Sequence, residues 1–239
     1  MRLPILLVAT LALIVGQANA MALRVAPTLL NIKAPASAAQ ITLRNTQDRP
    51  LNVQLRVFRW SQHNGEEHLE PTNDVAVSPP ITVLNPGTEY IARILRISHE
   101  PIRGEESYRL LVDEIPDRSS KENGTVSFVL RQSIPIFFTP AESLQPHIDW
   151  SADFENKFII VTARNNGGKR QRIAKFTIKD ESGATLVQRT GLFGYVLAGS
   201  EARWKLQLPI KPAPGATLYI NADGESEAIH AALAIPVRP

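Results

Sequence analysis

Residues able to do acid–base, nucleophilic or metal chemistry are few in this chain and poorly spaced for it. None of the 239 residues is cysteine, which removes thiolate nucleophiles, thiolate zinc sites and disulfide scaffolds together. His63, His68, His99, His147 and His230 are scattered, and no HExxH pair occurs. His63 and His68 stand five apart in a polar, hairpin-like stretch, a spacing without ligand logic. The chain has no Gly-x-Ser-x-Gly elbow and no P-loop. Gly191-Leu192-Phe193-Gly194 and Asn166-Gly167-Gly168 lack the strand–helix setting of a phosphate cradle and read as turns. Asp113-Glu114 and Glu66-Glu67 are adjacent pairs, and neighbours on a strand face opposite sides, so neither pair converges on one substrate. The sequence argues for no enzyme, no metal and no cofactor.

The elements that would position any functional residue are strands. Apolar residues make up 44% and charged ones 21%, a globular balance. The 18 prolines, many between short apolar runs, favour strands and turns over long helices. Lys and Arg number 26 against 23 Asp and Glu, too small a surplus for a nucleic-acid footprint. Leu51 to Val57 alternates apolar and polar residues, the period of a half-buried strand. Phe58 and Trp60 shift the parity, which predicts a bulge or a strand passing between two layers. Tyr90 to Ile97, Tyr108 to Ile115 and Thr125 to Phe138 read as further strands, and no stretch carries a capped helical stripe. The fold class is all-β.

Residues 1–20 read as an export signal: Arg2, the apolar run Leu3 to Val15, then Ala18-Asn19-Ala20 at a peptidase site. The mature chain is then expected to start at Met21, and a cysteine-free exported protein suits a bacterial periplasm. Two prolines between Thr139 and Pro146, without apolar periodicity, mark a boundary near Pro140. About seven short strand patterns follow it, and 21–140 fits the same description. The expected architecture is two immunoglobulin-like sandwiches in tandem, 21–140 and 141–239.

One segment is unusual. Residues 107–138 form two long apolar arms around the polar tip 116–124. On the second arm Val126, Phe128 and Leu130 lie on one face, because side chains repeat every two residues. That face either packs in the sandwich core or is an edge row offered to a partner strand, as in β-augmentation.

Leu84-Asn85-Pro86-Gly87, Ile91-Ala92-Arg93-Ile94, Tyr108-Arg109-Leu110-Leu111-Val112-Asp113-Glu114-Ile115-Pro116 and Ser133-Ile134-Pro135-Ile136-Phe137-Phe138-Thr139-Pro140 resemble the periplasmic pilus-assembly chaperones, the PapD-like family. Gly194 to Ser200 with Trp204 looks like the archaic branch of these proteins. The resemblance implies a periplasmic chaperone whose strand G, through Val126, Phe128 and Leu130, completes the fold of pilus subunits and hands them to an outer-membrane usher. It implies no cofactor, no nucleic acid and no small-molecule substrate. A secreted immunoglobulin-like adhesive or carbohydrate-binding module is the alternative, and it would display aromatic loops; 116–124 has none.

The sequence also departs from the family. Many members hold the subunit's terminal carboxylate with an arginine in strand A and a lysine in strand G. Alignment puts Leu29 and Pro135 at those places, and neither can bind a carboxylate electrostatically. The replacement candidates are Arg93, Arg109 and Arg131, since an apolar strand seldom carries arginine without a reason. Snorkelling or a structural ion pair is the competing reading of each. Arg131 shares the parity of Pro135 but sits about 13 Å earlier along the strand.

Overall fold

The computed structural model describes residues 23–116, 130–142, 144–210, 212–213 and 215–235, so the signal segment, Val126 and Phe128 lie outside the described residues. Among the described residues ten strands precede Pro140. They are β1 (Leu23–Ala26), β2 (Leu30–Lys33), β3 (Ala38–Asn45), β4 (Leu51–His63), β5 (Glu66–Pro71), β6 (Val75–Ser78), β7 (Ile81–Leu84), β8 (Glu89–Arg96), β9 (Glu106–Ile115) and β10 (Arg131–Thr139). Eight follow. They are β11 (Ile148–Glu155), β12 (Phe158–Asn165), β13 (Gln171–Lys179), β14 (Thr185–Gln188), β15 (Leu192–Val196), β16 (Glu201–Gln207), β17 (Thr217–Asp223) and β18 (Ala228–Ala234). No helix forms among the described residues.

The first ten strands make a sandwich of two sheets, β1-β3-β8-β6 against β2-β10-β9-β4-β5, with β7 paired to β4. The last eight make a second one, β11-β12-β16 against β14-β13-β17-β18, with β15 paired to β13. The chain is all-β with two immunoglobulin-like β-sandwich domains. Each has its own core, built because alternate residues of a strand point the same way. Leu23, Ile41, Leu43, Val53, Ile94 and Leu110 fill the first, and Ile159, Val161, Phe176, Ile178 and Leu218 the second.

The two sandwiches solve one loop problem in the same way. Asn45 and Asn165, each fully buried at a strand end, donate to one carbonyl of the loop that follows, Arg49 and Lys169, and to one at the end of a distant strand, Leu84 and Val196. Their side-chain oxygens accept from the loop residues Gln47 and Gly167. An exposed backbone turn is thereby tied to the core, with its buried polar groups satisfied.

β4 explains the parity shift in its sequence. Leu51, Val53 and Leu55 are buried in the first core, whereas Trp60 and Gln62 are the buried residues near the other end. The register with β9 and β5 runs unbroken through this change. Of the two expectations the bulge is absent: β4 stays paired in its sheet, and its buried face changes from the one turned to the first core at Leu51, Val53 and Leu55 to the opposite one, turned to the second sandwich, at Trp60 and Gln62. One turn expectation is corrected. After Gly191 the chain is strand, because Leu192 to Val196 pairs with β13, and Gly194 leaves room for the Trp204 indole 3.2 Å from where a Cβ would stand.

Candidate functional site

β9 and β10 form one antiparallel ladder, from Arg131 opposite Asp113 to Phe138 opposite Glu106. On its other side β10 is covered for only half its length. β2 pairs with it in parallel from Ile136 to Thr139, and no described strand pairs with that edge from Arg131 to Pro135. An unpaired edge carries a row of N–H and C=O groups able to take another strand. Leu130, at the head of β10, is half-buried and its carbonyl accepts from the Glu114 N–H at 3.1 Å. It shares the parity of Ile134, Ile136 and Phe138, which fill the first core.

The three candidate arginines are not brought together. Arg93 is exposed on β8, in the other sheet of the first sandwich. Arg131 is exposed at the start of β10, where its Nε donates to Asp113 at 2.5 Å; Arg56 reaches the other carboxylate oxygen at 2.6 Å. Burial pushes the Asp113 carboxyl up, but the hydrogen bonds from Arg131 and Arg56 outweigh it and hold the group below the usual carboxylate range. Arg109 faces the contact between the sandwiches. Its guanidinium stacks 3.7 Å from the centre of the Trp60 ring and 5.9 Å from that of Tyr195. Among the described residues its one ion pair is to Glu67, at 3.7 Å. Burial pushes this guanidinium down from the ordinary arginine range, against the pull of Glu67 and Tyr195.

Arg109 is the direct partner of Pro135 in the ladder, and residues opposite one another share a face of the sheet. Leu29 packs against the same cluster as Trp60, Phe137, Tyr195 and Leu197. The two positions that lack a base therefore lie around a base supplied from β9. The Trp60 indole N–H is buried there without a hydrogen-bond partner among the described residues.

Three residues that hold this junction were missed in the sequence. Gln62 donates to the Tyr195 carbonyl and accepts from the Leu197 N–H, both at 2.8 Å, so its amide acts as one rung of a ladder between sandwiches. Arg170, with its side chain 1% exposed, pairs with Glu105, whose side chain is fully buried, and with Glu225. It also donates to Asn31 and stacks on Phe137 at 3.6 Å. Burial raises the Glu105 carboxyl, opposed by the charge of Arg170. A long-range pair of this kind leaves no local period, so no sequence signal marked it. For Gln62 the signal was the parity shift itself, which placed a polar residue on the buried face of β4.

The histidine pair His63 and His68 has ring centroids 5.6 Å apart across the β4–β5 hairpin. No group of three potential metal ligands exists among the described residues.

Comparison with known proteins bears on family and fold. Residues 22–143 match the family described as "Pili and flagellar-assembly chaperone, PapD N-terminal domain". A curated relative from Escherichia coli (strain K12), named "Uncharacterized fimbrial chaperone YcbF", is 26% identical over 141 residues. That match spans 58% of this chain and 59% of the relative's length. Among solved structures, the CsuC–CsuE chaperone–tip adhesion subunit complex from the archaic chaperone–usher Csu pili of Acinetobacter baumannii gives a TM-score of 0.68 at 24% identity. It covers 88% of this chain and 97% of the other. The Salmonella enterica SafA pilin–SafB chaperone complex gives 0.60 at 16%, covering 87% and 95%. Pseudomonas aeruginosa CupB2 chaperone gives 0.57 at 16%, covering 89% and 100%. At these identities the structures speak for the fold.

Proposed function

The chain belongs to the family of pili and flagellar-assembly chaperones, and from that membership we propose that it binds pilus subunits in the periplasm by lending them a strand and passes them to an outer-membrane usher. The observation that carries this reading is the half-covered β10, whose edge from Arg131 to Pro135 is free of any described strand. A subunit lacking a strand would pair with that edge through main-chain bonds. Val126, Phe128 and Leu130 would enter its groove, continuing in sequence the stripe that Ile134, Ile136 and Phe138 put into the first core. Each apolar side chain buried this way contributes about 1.5–3 kcal/mol, so the capped complex is firm yet displaceable.

In the same reading Arg109 takes the subunit's terminal carboxylate. It stands beside Pro135 and Leu29, and has no closer anion among the described residues than Glu67 at 3.7 Å. Arg131 and Arg56 already share Asp113. Arg93 lies in the other sheet.

The test is co-purification from periplasm of a tagged chain, with identification of the bound proteins. Recovery of a pilus subunit in equimolar complex is expected. Recovery of the free chain alone from cells that export the subunit would overturn the proposal.

A further inference from the structure

The cation of the junction already faces a carboxylate of its own chain. Arg109, Trp60 and Glu67 project from three adjacent strands, β9, β4 and β5, on one face. Arg109 pairs across from Phe58, two residues before Trp60, and Leu69, opposite Trp60, stands two residues after Glu67. The Arg109 side chain is 13% exposed while that of Glu67 is 52% exposed, and every residue of β5 is exposed. Their 3.7 Å contact is longer than the usual 2.7–2.9 Å of a charge-assisted hydrogen bond. A nearly buried guanidinium needs an anion, yet this one is held loosely, by a side chain free to swing into water.

We propose that Glu67 is an internal stand-in for the ligand at Arg109: it neutralises the guanidinium in the free protein and is displaced by the terminal carboxylate of an incoming subunit. This rests on the reading of Arg109 as the carboxylate anchor. A half-exposed pair at this distance is weak, so displacement costs little. The arginine is nevertheless never left in the junction without a charge partner before the subunit arrives. Glu67 therefore sets the affinity of the site without touching the ligand.

The experiment measures affinity for the pilus subunit recovered by co-purification, prepared with a free C-terminal carboxylate and, separately, as the C-terminal amide. Glu67→Gln keeps the shape and removes the competitor. It is expected to tighten binding of the carboxylate form about two- to fivefold, with no gain for the amide and none in an Arg109→Gln background. Unchanged or weaker binding of E67Q, or an equal gain for the amide, overturns the role of Glu67 while leaving Arg109 as anchor. If R109Q, checked for folding beside R109K, binds the carboxylate form as well as the parent does, the anchor reading itself fails, and Glu67 with it.

Discussion

Arg109 lies directly across the β9–β10 ladder from Pro135. The proline stands where the family resemblance leads one to expect a lysine, and it offers neither charge nor an N–H. Its opposite neighbour restores the charge on the same face of the same sheet, one strand away. Stacking on Trp60 at 3.7 Å then fixes the guanidinium plane, which a lysine ammonium could not share.

Arg109→Gln is expected to weaken subunit binding by about 2–5 kcal/mol, the usual cost of removing one member of a buried charged contact. Reversal of Arg93 to Glu is expected to leave binding unchanged. Calorimetry of each variant, with a thermal melt beside it, decides. Normal binding by folded variants reversed at Arg93, Arg109 and Arg131 would mean that backbone or another residue holds the carboxylate.

Phe128 is expected to contribute most to the donated row, because an aromatic side chain brings the largest area. Phe128→Asp puts an unpaired charge into the subunit's groove, which is strongly disfavoured. Loss of complex with little loss of the variant's own stability is the expected result. A variant that chiefly unfolds would assign the side chain to the sandwich core.

Asp113 makes the head of β10 sensitive to acid. Its folded pKa lies below the unfolded value, so its contribution to stability is present above about pH 3.9 and fades as pH falls through the lowered value. Asp113→Asn is expected to be less stable than the parent in urea at neutral pH. The gap should narrow as pH falls below the usual carboxylate range, and a gap independent of pH would show that charge plays no part.

Arg170 and Glu105 are buried together. Arg170→Met leaves Glu105 and its burial without the opposing charge, and is expected to cost about 3–5 kcal/mol. The loss should be smaller in acid, where Glu105 takes up a proton. Urea titration of the single variant and of the R170M/E105L pair measures it; the pair should regain part of the loss.

Export is expected to remove residues 1–20. N-terminal sequencing of the periplasmic protein should begin at Met21. A product beginning at Met1, or recovered only with membranes, would contradict this.

The sandwiches were legible because a strand with one buried face writes its period into the sequence: Leu51, Val53 and Leu55 alternate with Asn52 and Gln54, and β4 buries that row. β5 showed only as the polar, hairpin-like stretch around His63 and His68, since all six of its residues are exposed and carry no period. β15 was hidden by the glycines at 191 and 194, which looked like a turn and serve instead a positive φ and the Trp204 indole. At the candidate site, Arg109 stood out as a base in an apolar run. Its neighbours could not be read, because Trp60, Glu67, Pro135 and Tyr195 meet through pairing across strands and between domains. Arg170 was hidden for the same reason, its partners Glu105 and Asn31 being 65 and 139 residues away.

A gene spliced at Pro140 would separate two sandwiches on paper but not in substance. Gln62 closes on Tyr195 and Leu197, Gly65 bridges to Ala202 with Arg203 packed where its Cβ would be, and Arg170 reaches back to Asn31 and Glu105. Exchange of the second half between relatives would therefore carry away one side of each of these contacts and leave the other facing a stranger. Functional chimaeras of such chains should be those in which 60–65 travels with 195–203, so that the heritable unit is the seam rather than either domain.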